Sequence, residues 1–131
     1  MTGKRAKVVL GKIGLDGHDN GIRTVAKWLV DAGCEVVYLG LYNSPEVMVR
    51  AAVEEGANVL GVSFLGGEHL FYSKRLMDLI GQEVKSPPAV VVGGVIPPDD
   101  VDQLKKLGVA AVFTPGAPRE GIIGAVDSVV N

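Results

Sequence analysis

The stretch that decides the fold is residues 89–100, AVVVGGVIPPDD, where a short apolar run leads through two glycines to a helix start. Residues 89–92 are apolar at every position, which is typical of a strand that is buried on both faces. Residues 97–100, PPDD, favour the start of a helix, which Gly108 would end. The stretch therefore predicts one strand–loop–helix unit of a parallel sheet.

The same unit recurs along the rest of the chain. The other predicted strands are residues 7–10, 36–39, 59–62 and 110–113. The other predicted helices are residues 22–30, 45–56, 70–80 and 122–130, with Ser44 as an N-cap. Alternating strands and helices, with strands apolar on both faces, indicate a parallel sheet covered by helices on both sides. The prediction is an α/β, flavodoxin-like (Rossmann-like), doubly wound sheet with strand order 2-1-3-4-5.

Length and composition exclude several classes of protein. The 131 residues are expected to form a single domain, 1–131, with its core at about 5–131. A net charge of -2 argues against nucleic-acid binding, and no apolar run is long enough for a membrane span. The single cysteine, Cys34, excludes an internal disulfide framework and a multi-cysteine zinc site. The N-terminus lacks the pattern of a signal peptide, so we expect a cytoplasmic location.

Glycine-rich loops follow four of the predicted strands. They are residues 14–21, 63–67, 93–98 and 114–117. In an open parallel sheet, the carboxyl ends of the strands lie at one edge, and ligands bind there where the strand order reverses. Glycine lets the backbone approach a ligand closely. The four loops predict a broad, shallow cradle for a large, flat ligand.

His18 is the one imidazole in these loops. Asp16, two residues earlier, could fix the tautomer of His18 and raise its basicity, as partners of metal ligands do. Lys12 could in turn hold the Asp16 carboxylate. One cysteine and a distant second histidine, His69, give no protein cage for a bare metal. If His18 binds a metal, it would be a single ligand to one that brings its own coordination, such as a macrocycle. The alternative is a surface histidine without a role.

The motif DGHDNG at residues 16–21, with SFL at 63–65 and GG at 93–94, resembles the signature of the B12-binding domain family. The longer strings KIGLDGHD at 12–19 and VVVGGVIPP at 90–98 are similar to its acyl-CoA mutase branch, the methylmalonyl-CoA mutase type. The similarity runs from Lys7 to the C-terminus. Members of this branch often carry an arginine where this chain has Asn20. The family also differs at Phe64, and at Ala117, which lacks a hydroxyl.

The resemblance implies adenosylcobalamin bound in the base-off, His-on form. His18 would be the axial ligand to cobalt, Asp16 would hydrogen-bond the other ring nitrogen, and Lys12 would stand behind Asp16. Ser63 and Leu65 would line the slot for the displaced nucleotide tail. The further residues implied to contact the cofactor are Gly17, Asp19, Gly21, Gly67, Gly93, Gly94, Val95, Thr114 and Gly116. No residue of this chain is expected to be catalytic itself.

The resemblance also implies a partner. A larger TIM-barrel subunit would hold the acyl-CoA substrate, and this chain would be the cofactor-binding subunit of an isomerase, inactive alone. Two other readings of the same residues stay open. One is a corrinoid carrier protein in methyl transfer, and the other is a flavodoxin-like binding module without B12.

Overall fold

The computed structural model describes residues 6–14, 20–64, 67–83, 86–114 and 116–130. Five strands alternate with five helices over these residues, as the apolar runs predict. The strands are β1 Lys7–Lys12, β2 Glu35–Tyr38, β3 Val59–Phe64, β4 Ala89–Gly94 and β5 Ala111–Phe113. The helices are α1 Asn20–Asp31, α2 Pro45–Glu54, α3 His69–Glu83, α4 Pro98–Leu107 and α5 Arg119–Val130.

The strands form one parallel sheet in the predicted order, β2-β1-β3-β4-β5. The interior strand β1 pairs with β2 on one side and with β3 on the other, since Val8 lies opposite both Val36 and Val59. The chain runs outward from β1 in one direction to β2 and in the other through β3 to β5. The strand order therefore reverses beside β1, and the carboxyl ends of β1 and β3 flank this switch point.

Alternate residues of each strand enter two separate cores, one on each face of the sheet. Val9 and Leu60 pack against α2, α3 and α4. Val8 and Val59 pack on the other face, against α1 and α5. This period of two explains why the middle residues of the strands are apolar on both faces: helices cover both sides of the sheet.

Three strands continue two residues further than predicted, which corrects the loop boundaries. β1 ends at Lys12, β3 at Phe64 and β4 at Gly94. The ends pair in register, with Lys12 opposite Ser63 and Phe64 opposite Gly94. Residues 63–64 and 93–94, which the sequence predicts to be in loops, therefore belong to paired strands. The hydrogen bonding of the sheet continues to the carboxyl-end edge, where a ligand would bind.

The helix ends follow local signals. Ser44 caps α2 as predicted, because its Oγ accepts a hydrogen bond of 3.1 Å from the Val47 amide. Gly108 ends α4 in the left-handed conformation, at φ 109°. Helices α1 and α5 begin earlier than the sequence predicts, at Asn20 and Arg119. Across the described ranges, no helix has the length and apolar character needed to cross a membrane.

Candidate cofactor site

A cavity of about 600 Å³ lies between the sheet and helices α1 and α5. It opens where β1, β3, β4 and β5 end, and it extends down to Val8 and Val126. Cofactor sites in proteins commonly measure about 300–1,000 Å³. The cavity is deeper than the shallow cradle that the loops alone predicted, because its lower walls come from strands and helices.

The walls of the cavity are mostly apolar, with small polar groups near the sheet edge. The polar side chains are Lys12, Asn20, Thr24, Ser63 and Thr114. The glycines on the walls are Gly21, Gly61, Gly93, Gly94 and Gly116. A Cβ built at Gly21 or Gly116 would meet no atom within 4 Å. The site can therefore take a ligand with an apolar body and a few hydrogen-bonding groups.

Lys12 is buried at the mouth of this cavity, with 1% of its surface exposed. Its Nζ donates to the Ser63 carbonyl oxygen at 3.2 Å and lies 3.4 Å from the Ser63 hydroxyl. Lysine is almost never fully buried unless its charge is compensated. The Lys12 side chain therefore ties the end of β1 to the end of β3, at the point where the strand order reverses.

Gly94 brings the backbones of β3 and β4 closer than any other residue type would allow. Its φ is 113°, and a Cβ there would fall on the Phe64 carbonyl oxygen. That oxygen accepts a hydrogen bond of 3.0 Å from the amide of Val95. The close approach sets the shape of the cavity wall, since Phe64, Gly94 and Val95 all line it.

Most of the predicted site residues that the structure describes come together around this cavity. They are Lys12, Gly21, Ser63, Gly93, Gly94, Val95, Thr114 and Gly116. Gly67 is not part of the described wall. The remaining predictions, Asp16, Gly17, His18, Asp19 and Leu65, lie outside the described residues. Within the described part of the chain, no cluster of His, Cys, Asp and Glu could hold a metal ion.

Sequence reasoning missed the contribution of the helices to the cavity. Thr24, Val25 and Trp28 of α1 line it, as does Ile122 of α5. The helical spacing of the apolar residues in 22–30 predicts that one side of α1 faces the core, and Ile22 and Leu29 are indeed buried. A stripe that packs directly on a sheet and a stripe that lines a gap above it have the same periodicity. Thr24, a hydroxyl residue on the side of α1 that lines the cavity, was the feature of the sequence that could have indicated the gap.

The protein-family model that matches this sequence is the B12 binding domain, over residues 6–122. The small subunit of 2-hydroxyisobutanoyl-CoA mutase from Aquincola tertiaricarbonis is 40% identical over 124 residues. That match covers 95% of this chain and 91% of the relative. The small subunit of pivalyl-CoA mutase from Xanthobacter autotrophicus is 42% identical over 120 residues, covering 92% of this chain and 80% of the relative.

Among solved structures, this chain is similar to a cobalamin-binding protein from Desulfitobacterium hafniense DCB-2, with a TM-score of 0.74. The two chains are 26% identical. The likeness covers 97% of this chain and 57% of that one. The shared part includes the strands whose ends surround the cavity.

Proposed function

This chain belongs to the B12-binding domain family, and we propose that it is the small subunit of an acyl-CoA mutase, an isomerase that uses adenosylcobalamin. In this proposal the chain holds the cofactor base-off, and a larger TIM-barrel subunit holds the acyl-CoA. When bound, adenosylcobalamin supplies the radical that starts a carbon-skeleton rearrangement. The chain's own part is to bind and orient the cofactor.

The observation that carries the proposal is the cavity at the switch point. Its apolar walls, with hydroxyls at Ser63 and Thr114, suit the nucleotide tail of cobalamin, which joins an aromatic base to a sugar and a phosphate. The tail would enter between α1 and the ends of β3 and β4. The flat corrin ring would then lie across the sheet edge, above the cavity mouth.

His18 is the proposed axial ligand to cobalt. It lies six residues after Lys12, which ends β1, and two residues before Asn20, which begins α1. Both Lys12 and Asn20 line the cavity, so the segment that carries His18 leaves and returns at the cavity mouth. Asp16 is proposed to orient the imidazole through its other nitrogen, which would keep the coordinating nitrogen unprotonated.

The relatives support a mutase more than a methyl carrier. The two mutase small subunits are matched over nearly their whole length at 40% and 42% identity. The proposal includes a cytoplasmic location, which agrees with a chain whose single cysteine forms no internal disulfide.

A side chain added at Gly21 should block cofactor binding without harming the fold. Gly21 lines the cavity at the start of α1, and a Cβ there meets no atom within 4 Å. We expect Gly21→Leu to weaken hydroxocobalamin binding by about tenfold or more, because the added side chain takes space from the tail. Visible absorbance titration of the purified chain measures the dissociation constant.

Gly124→Leu is the matched control for this experiment. Gly124 also lies on a helix of the same layer, has no atom within 4 Å of its Cβ position, and is not part of the described wall. It should bind cobalamin as the parent does. Equal affinity of the Gly21 and Gly124 variants would contradict the placement of the tail, and a parent chain that binds no cobalamin would contradict the proposed function.

Lys12→Met should separate the buried lysine's part in binding from its part in stability. Replacing Lys12 by an apolar side chain of similar length removes the donor to the Ser63 carbonyl oxygen, which should cost about 1–3 kcal/mol of stability. We expect cobalamin affinity to fall by about tenfold, since groups behind a metal ligand typically contribute that much. Titration and urea unfolding measure the two effects. Lys105→Met, at an exposed lysine, is the control, and undiminished affinity in Lys12→Met would exclude the proposed role.

A further inference from the structure

A buried histidine joins the starts of two helices on the sheet face opposite the cavity. His69 begins α3 and is 3% exposed. Its Nε2 lies 2.7 Å from Oδ2 of Asp100, in the first turn of α4. Because α3 follows β3 and α4 follows β4, this bond links the two crossovers whose strands end at the cavity. Neither side chain belongs to the described wall of the cavity.

The ring of His69 also contacts Phe64, whose backbone pairs with Gly94 at the end of β4. The Phe64 ring packs edge-on to His69 with centroids 6.5 Å apart, and it stacks on Tyr72 at 6.3 Å. The backbone carbonyl of the same Phe64 accepts the hydrogen bond from Val95. His69 therefore supports both sides of the β3–β4 junction, through Phe64 on one side and Asp100 on the other.

Stability alone does not explain why a histidine occupies the buried position 69. Within the described part of the chain, its Nδ1 is buried without a hydrogen-bond partner, as is Oγ of Ser73 one turn later. An unsatisfied buried polar atom costs free energy that an apolar side chain of similar size would not. A residue retained at such a cost is a candidate for a functional role.

We propose that His69 is a positioning residue for the cofactor. Through Asp100 it fixes the spacing of the β3–α3 and β4–α4 junctions, and so the width of the cavity mouth between Ser63 and Val95. The inference rests on the proposed function, in which this part of the cavity holds the nucleotide tail. The corrin ring would lie outside the cavity, so its binding should not depend directly on the width of the cavity mouth.

The test compares cobalamin with diaquacobinamide, which keeps the corrin ring and lacks the nucleotide tail. His69→Leu removes the bond to Asp100 and keeps an apolar side chain against Phe64. We expect its dissociation constant for hydroxocobalamin to rise by about tenfold and that for diaquacobinamide by less than about threefold. The ratio of the two constants is the readout, because general loosening of the fold would weaken both ligands alike.

Two further variants define the role. In His69→Gln, the amide nitrogen takes the place of the imidazole Nε2 and can still donate to Asp100. We therefore expect this variant to keep most of the cobalamin affinity that His69→Leu loses. Arg75→Gln is the matched control, since it breaks another inter-helix bond, 2.7 Å between Arg75 Nη2 and Glu46 Oε2, that joins α2 and α3 at the surface. That hydrogen bond lowers the pKa of Glu46, so the broken bond is a charged one. The control should bind both ligands as the parent does.

The outcomes are distinguishable. Parent-like cobalamin binding by His69→Leu, an equal loss for both ligands, or no recovery in His69→Gln would overturn the inference while leaving the proposed function intact. A parent that binds no cobalamin would overturn both. If His69→Leu does not fold, Asp100→Ala removes the same bond at a partly exposed side chain and must give the same selective loss.

Discussion

His18→Ala is expected to lower the turnover of the mutase, reconstituted with its large subunit, by about a hundredfold or more. Even groups that only orient a metal ligand typically contribute about 10–100-fold, and the ligand itself should contribute at least the upper end of that range. The loss should persist at saturating cofactor, because added cofactor cannot supply the missing imidazole. Initial rates measured against adenosylcobalamin concentration separate this effect from weaker binding.

Lys106→Ala is the control for that measurement. Lys106 is exposed in the last turn of α4, and α4 runs antiparallel to the strands, so this residue lies at the sheet edge away from the cavity. It should leave turnover unchanged. Parent-like turnover of His18→Ala at saturating cofactor would mean that this imidazole does not ligate cobalt.

Gly94→Ala is expected to have the largest effect on stability. The left-handed φ of 113° is unfavourable for alanine, and the added Cβ would collide with the Phe64 carbonyl oxygen, which the backbone holds in place. Backbone strain of this kind and the displacement of a paired strand should together cost about 3 kcal/mol or more. Urea unfolding followed by far-ultraviolet circular dichroism measures the change in the free energy of unfolding.

The neighbouring glycine provides the control. A Cβ at Gly93 would lie 3.5 Å from the Phe113 carbonyl oxygen, an ordinary contact distance, and its φ is not left-handed. We expect Gly93→Ala to change stability by less than about 1 kcal/mol. If the two variants were equally stable, the close approach of β3 and β4 would not require glycine at position 94.

The order of strands and helices could be predicted because each apolar run permits few interpretations. Residues 89–92 are too short for a buried helix and too apolar for a surface strand. Right-handed crossovers between parallel strands then leave few sheet orders, and the predicted one is confirmed. The predicted family and its acyl-CoA mutase branch are also confirmed. Each strand, each helix and each element of the motif was predictable because it depends on a short run of neighbouring residues.

The strand ends could not be placed from sequence. Gly93 and Gly94 suit a loop as well as a tight strand pairing, because glycine is common in turns and also occurs in strands where another backbone approaches closely. The pairing of Gly94 with Phe64 of the neighbouring strand determines that the two glycines belong to β4. The predicted contacts with cofactor of the residues around the cavity stay predictions, including those of Gly67, which the described wall does not contain.

The contact between His69 and Asp100 could not be predicted from the sequence either. The two residues are 31 positions apart, and His69 directly precedes the helix predicted over residues 70–80. The burial of His69 depends on α3 and α4 packing side by side. Long-range polar pairs of this kind follow from tertiary packing and leave no periodic signal in the sequence.

The central claim is that a histidine of this chain ligates cobalt. Electron paramagnetic resonance of its cob(II)alamin complex tests it, with the protein labelled with ¹⁵N at its histidines, of which the chain has 2. A coordinating ¹⁴N splits each cobalt line into three and a coordinating ¹⁵N into two. Labelling is expected to convert triplets to doublets, and His18→Ala is expected to abolish the nitrogen splitting. Triplets that persist in the labelled protein would show that the cofactor's own base remains on cobalt, and would contradict the account.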